Sequence, residues 1–231
     1  MTMRALRHNG LSAVFFGLFA VALAGQAVAG HAGYNNDEVA HAELTGEEPE
    51  KLSLARYVVS SHFGQAVMEN WQSEYLQFTL FVLLTVWLIQ RGSPESKEPG
   101  KAGLESDREQ MVGAAADDDS PRWARVGGLR TAIYSNSLLI TMGAIFLASW
   151  FAHSVTGWSS YNADQLEHGG ARLGWLGYVG TAEFWETTLQ NWQSEFLAVG
   201  SMVVLSIYLR QRGSPESKPV GAPHDATGLE G

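Results

Sequence analysis

Asn70-Trp71-Gln72-Ser73-Glu74 leads into an unbroken apolar run, YLQFTLFVLLTVWLI, at 75–89. The same five letters recur as Asn191-Trp192-Gln193-Ser194-Glu195 and lead into FLAVGSMVVLSIYL at 196–209. Each run is then followed by one octapeptide, Gln90-Arg91-Gly92-Ser93-Pro94-Glu95-Ser96-Lys97, which returns unchanged at 211–218. Upstream of each pentapeptide lies a further apolar run, at 11–30 and at 132–152. Residues 8–97 and 135–218 are thus two copies of one unit. Asn9 corresponds to Asn136, Gly30 to Gly157, His41 to His168, Tyr57 to Tyr178 and Phe63 to Phe184. The offset is 127 at the start and 121 later, so the first copy carries the longer loop.

A helix needs about 20 residues to cross the hydrocarbon core of a bilayer. The runs 11–30 and 132–152 meet that length. The runs 75–89 and 196–209 are short by about a turn and reach it only if the Asn-Trp-Gln-Ser-Glu segments continue the helix into the interface. Trp71 and Trp192 suit that depth, because Trp concentrates at the headgroup level. The fold predicted is an all-α membrane protein with four transmembrane helices, arranged as two parallel-oriented two-helix repeats. They would form a pseudo-symmetric four-helix bundle about an axis along the membrane normal.

The 231 residues suit one or two domains, and 17% charged residues is low for a soluble chain. A net charge of −9 leaves no basic face for phosphate, so a nucleic-acid partner is not expected. The absence of cysteine removes disulfides, thiolate metal sites and thiol nucleophiles.

Of the fifteen basic residues, only Lys51, Arg56 and Arg172 lie in the loops 31–69 and 153–190. Arg4 and Arg7 precede the first run, and the others lie in the central linker or the C-terminal segment. The positive-inside rule then places both termini and the linker in the cytoplasm. Arg4, Arg7, the first run and Ala27-Val28-Ala29 also read as a cleavable secretory signal. The first run corresponds to the third, which is internal, so it is expected to be retained. The divisions are 8–97 and 131–218 for the repeats, 98–130 for a polar linker, and 219–231 for a disordered tail.

The Tyr-Asn…His loop, the Asn-Trp-Gln-Ser-Glu pentapeptide and the repeated octapeptide together resemble an uncharacterised family of bacterial integral-membrane proteins, catalogued as a domain of unknown function. The resemblance spans nearly the whole chain. It implies a multi-pass protein of the bacterial cytoplasmic membrane, and brings no activity, cofactor or catalytic residue.

Function has to be read from the motifs. On a helix Asn70, Ser73, Glu74 and Gln77 share one face, and Trp71, Tyr75, Phe78 and Val82 another. Polar groups would then face the bundle and aromatics the lipid. The second copy keeps Asn191, Ser194 and Glu195 but has Ala198 in place of Gln77, so a continuous polar pore is not supported. Glu74 and Glu195 form a candidate proton or cation site at the outer ends of spans two and four. The plainer alternative is interhelical hydrogen bonding and interface anchoring.

In the octapeptide, Arg91 and Arg212 are expected in the last helical turn, with Gly92 and Gly213 as left-handed caps. Ser-Pro-Glu would then start a short new helix. Arg91, Ser93, Glu95, Arg212, Ser214 and Glu216 are also a candidate cytoplasmic contact surface. Asp37 with His41, and Asp164 with His168, stand at i, i+4. They can be drawn as a metal site or read as plain surface pairs. His8, His31 and His153 correspond to Ser135, Trp158 and Gln26, so no repeated His supports a haem and no cofactor is expected. Gly17, Gly25, Ala144, Ala148 and Ala152 predict close packing of the first and third spans, or a homodimer through the same faces.

The reading is an integral membrane protein with a non-enzymatic structural or interaction role. Its partners would be the bilayer, a second copy or a cytoplasmic protein. The alternative is a small proton or cation transporter using Glu74 and Glu195.

Overall fold

A computed structural model describes residues 8–46 and 48–229, and among them no strand occurs. Arg4 and Arg7 lie outside the described residues. The helices are α1 (Gly10–Thr45), α2 (Leu54–Tyr57), α3 (Ser61–Trp87), α4 (Arg122–Arg125), α5 (Gly128–Ser135), α6 (Ser137–Glu167), α7 (Trp175–Val179) and α8 (Ala182–Tyr208). Two of them, α1 and α6, are long and apolar enough to cross a membrane. The most apolar window of α1 has none of its residues buried. A helix apolar on every side and uncovered by protein is suited to lipid contact.

Both long helices overrun their apolar segments. At about 1.5 Å per residue, the 36 residues of α1 extend about 54 Å, against a hydrocarbon core of about 30 Å. The α1 helix stops at Gly46, whose positive φ of 79° lets its N–H reach the Ala42 carbonyl in a left-handed cap. The 31-residue α6 begins after Asn136 interrupts the segment expected to start at 132.

The chain divides into two compact units. In the first, made of the chain up to Val67 with Val155–Leu173, Asn side chains clamp the returning loops. Asn35 donates to the Leu52 carbonyl (3.0 Å) and accepts from the Leu52 N–H (2.8 Å). Asn162 makes the same two bonds with Leu173, at 3.0 and 2.8 Å. The positions match the sequence correspondence, offset by 127 on the helix and 121 on the loop. Tyr57 is buried beside Tyr34 and Phe63, and a Cβ at Gly30 would collide with its hydroxyl.

The second unit comprises Met68–Ser154 and the chain from Gly174. Its core is aromatic. Tyr178 and Phe184 are buried, and Phe184 stacks against Trp150 at 6.2 Å between ring centroids. The start of α8 is capped by Thr181, which accepts from the Phe184 N–H. In the first unit Ser60 accepts from the Phe63 N–H in the same way.

The octapeptide departs from its expected form. The α3 and α8 helices end at Trp87 and Tyr208, before Arg91 and Arg212. Gln90–Ser93 and Gln211–Ser214 close tight turns, with Ser N–H to Gln carbonyl bonds of 3.1 and 3.2 Å. Gly92 and Gly213 take φ of 89° and 82°, as the third position of such a turn requires. No helix follows Ser-Pro-Glu. Instead the Ser96 and Ser217 hydroxyls accept from the N–H of Gln90 and Gln211, both at 2.9 Å. Lys97 Nζ donates to the Gly103 carbonyl, and Lys218 Nζ to the corresponding His224 carbonyl, both at 2.8 Å. Capping is thus local and internal, which accounts for the recurrence of Gly, of the second Ser and of Lys.

The tail and the linker carry further local structure. The tail expected to be disordered is tied down. Gly92 N–H donates to Thr227, and Gly228 N–H to the Ser93 carbonyl. The linker holds a 3₁₀ turn at Gly113–Ala115 as well as α4 and the start of α5. No described residue comes within 4 Å of a Cβ built on Gly17 or Gly25.

A Cβ at Gly92 would stand 2.5 Å from the His224 carbonyl oxygen, whereas one at Gly213 would meet no described residue within 4 Å. Both positions carry the left-handed penalty of about 1–2 kcal/mol for an L-residue. Gly92→Ala should therefore lower the thermal midpoint of the purified protein clearly more than Gly213→Ala. Equal shifts would contradict the packed tail.

Candidate functional site

Two polar constellations come from the repeated motifs. The first lies in an open cleft of about 580 Å³ in the first unit. It is built from the overrun of α1, the end of α6, the loop around Glu48 and Glu50, and His62. His41 Nδ1 lies 3.0 Å from Glu167 Oε1, which ties α1 to α6 by an ion pair when the imidazole is protonated. His41 and His168, corresponding residues, meet edge to face with ring centroids 6.1 Å apart. His41 therefore pairs across to Glu167, not with Asp37 as the i, i+4 spacing suggested.

His168 does keep its Asp164 neighbour. Nδ1 lies 2.9 Å from the Asp164 carbonyl and 3.4 Å from its carboxylate. The carbonyl bond, then the carboxylate charge, hold the His168 pKa above the ordinary imidazole range. Tyr34, on α1, is pushed up to about 12, first by burial and then by its hydrogen bond to Glu38. The lining holds Glu38, Glu48, Glu50, Asp164 and Glu167 against one arginine, Arg172. Such a set attracts cationic groups. Among the described residues no three His, Cys, Asp or Glu side chains are disposed to hold a metal ion.

The second constellation is the Asn-Trp-Gln-Ser-Glu crossing in the second unit. The buried face of α3 is turned by one residue from the predicted one. Gln72, Ser73 and Leu76 are buried and Glu69 half-buried, while Asn70 and Glu74 are exposed. In α8 the same letters present another face: Thr188 is buried, Asn191, Trp192 and Glu195 are half-buried, and Ser194 is exposed. The two faces bond to each other. Trp192 Nε1 donates to Gln72 Oε1 at 2.6 Å, and Asn191 Nδ2 to Glu69 Oε1 at 2.7 Å. Trp192 thus points at a neighbouring helix and not at lipid. Of the candidate carboxylate pair, Glu74 is exposed and Glu195 half-buried, and the two lie near enough for the charge of Glu74 to act on Glu195.

Of the candidate contact residues, Ser93 is buried and cannot dock a partner. Arg91 is exposed and pairs with Asp225 at 3.4 Å, Arg212 and Glu216 are exposed, and Glu95 and Ser214 are half-buried. Glu167, Gln72, Glu69 and the buried His153, which stacks on Phe184, were not singled out by spacing. Gln72 was available as the middle letter of the repeated pentapeptide. Glu167 had only its position beside His168.

The family model described as Domain of unknown function (DUF6766) matches residues 2–229. The chain belongs to that family. No curated protein and no solved structure matches it.

Two measurements check the geometry. Gln72→Leu leaves the Trp192 N–H without its acceptor and should cost about 1–3 kcal/mol of stability. Trp192→Phe should add little on top of it in a double-mutant cycle. For His168, a folded pKa above the unfolded value means its stabilisation is full below about 6.5 and lost as pH rises through the raised value. Asp164→Asn should lower the His168 titration midpoint followed by NMR. An unchanged midpoint would remove the charge contribution.

Proposed function

We propose that this is a multi-pass protein of the bacterial cytoplasmic membrane with four spans in two parallel repeats. Its termini and linker lie in the cytoplasm, and its role is structural or interactive, not enzymatic. The carrying observation is the outer cleft, where two helices that overrun their apolar segments present His41, His168 and Glu167 in mutual contact. The matched Asn35–Leu52 and Asn162–Leu173 clamps support the two-repeat reading, as does the equal 27-residue length of α3 and α8. The distribution of Lys and Arg supports the orientation. The burial of Ser93 and the inward turn of Gln72, away from Glu74, weigh against both cytoplasmic docking through the octapeptide and transport through Glu74 and Glu195.

The chain has no cysteine, so single cysteines report cleanly. Leu44→Cys and Ala171→Cys should react with an impermeant maleimide from outside spheroplasts. Ala116→Cys should react only after permeabilisation. A photo-crosslinking residue at Glu38 should capture a second polypeptide in intact membranes. Labelling with the opposite sidedness would refute the topology, and adducts confined to the chain itself would refute the interaction role.

A further inference from the structure

The two octapeptides share every letter, yet they differ in what meets their outward donors. At the first, the C-terminal chain lies against the turn. Thr227 Oγ1 accepts from the Gly92 N–H at 2.8 Å, and Asp225 Oδ2 stands 3.4 Å from Arg91 Nη2. Gly92 is buried there, with the His224 carbonyl beside it. A backbone N–H and a guanidinium thus hold two oxygens supplied by one acidic segment.

At the second octapeptide the same two donors face outward. A tight turn uses the N–H of its fourth residue, here Ser214, so the Gly213 N–H lies outside the turn's own bond. It has no acceptor among the described residues. Gly213 is exposed, and a Cβ built there meets nothing within 4 Å. Arg212 is exposed and has no acidic partner among the described residues. Both line an open pocket of about 330 Å³ together with Lys218, Pro219 and Val220, and its lining includes no Asp or Glu. Glu216 lines a different cavity.

Charge separates the two copies in the same way. Arg91 pairs with Asp225, and Lys97 with Glu105 at 2.7 Å. Arg210 and Lys218, by contrast, are bonded to carbonyls. Asp225 is near enough to be felt by Lys218, but its contact is with Arg91. The second turn therefore carries the surplus positive charge.

The occupant that answers these features is an oxyanion with an apolar shoulder. The planar guanidinium matches two phosphate oxygens, and the backbone N–H takes an oxygen as its counterpart does from Thr227. Pro219 and Val220 add an apolar wall that a free phosphate would leave uncovered. Arg212 stands three residues past Leu209, the end of the apolar run, which is headgroup depth on the membrane reading proposed above. We propose that the second octapeptide binds the phosphate of an anionic phospholipid, with Arg212 and the Gly213 N–H as donors and Lys218 as supporting charge. The proposal rests on that membrane reading.

The test is native mass spectrometry of the full chain in detergent, with phosphatidylglycerol as probe and phosphatidylcholine for comparison. Expected is one retained phosphatidylglycerol per chain, bound at least fivefold tighter than phosphatidylcholine. Arg212→Gln should weaken it at least fivefold. Arg212→Lys, which keeps the charge and loses the planar fork, should weaken it at least threefold. Arg91→Gln removes the same charge from the first copy and should change affinity less than twofold. Circular dichroism checks each variant, and the Arg212 side chain is exposed. Equal losses in the Arg91 and Arg212 variants, or full displacement by inorganic phosphate at equal concentration, would overturn the proposal. Release of the chain from membranes by alkaline carbonate would overturn the membrane reading and the proposal with it. A chain that stays in the membrane and fails the lipid arms overturns the proposal alone.

Discussion

Backbone groups that leave a helix near lipid must find partners within the protein, because the bilayer core offers none. The repeated octapeptide meets that demand by itself. A glycine supplies the left-handed turn, a serine hydroxyl takes the N–H of the Gln that opens it, and a lysine ammonium reaches carbonyls beyond the turn. Lys218 goes furthest: it is buried and donates to the Pro223, His224 and Ala226 carbonyls. A buried ammonium would be untenable without such a cage of oxygens. The tail then packs onto the first turn through Thr227 and Gly228. An eight-residue motif thus fixes how each of two helices ends and where the remaining chain lies.

Identical sequence does not produce identical roles. The two Asn-Trp-Gln-Ser-Glu segments touch through different letters, Gln72 and Glu69 on one side and Trp192 and Asn191 on the other. Two identical helices that used the same face would place like against like: indole N–H against indole N–H, carboxamide against carboxamide. Rotating one relative to the other sets donor against acceptor. Deeper along the same helices the corresponding pairs face one space again, at Phe78 with Val199 and Phe81 with Met202.

The all-helical fold, the two long apolar helices and the family were legible from apolar run lengths and repeated letters. So were the positive φ of Gly92 and Gly213. The segment with Tyr34 and Asn35 reads as an outer loop, whereas the structure continues α1 through it to Thr45. The rotation of α3 was not legible, because a face chosen by polarity alone ranks Glu74 above Gln72. Burial selects the reverse, since a neutral amide loses less than a carboxylate on leaving water. Ser-Pro-Glu failed as a helix start for a related reason. The octapeptide fits a helix cap and a tight turn equally well, and the bonds of Ser96 and Lys97 decide for the turn. The His41–Glu167 pair links helices far apart in sequence, and no local spacing encodes it.

The length of α1 sets where its imidazole sits. His41 lies eleven residues beyond Gly30, the end of the apolar run, or about 16 Å further along the helix axis. Both side chains of the His41–Glu167 contact are partly exposed there, and dissolved salt screens charges over about 8 Å at physiological ionic strength. The tie between α1 and α6 therefore loosens as ionic strength rises, while the Asn35 clamp on the same helix, made of neutral groups, does not.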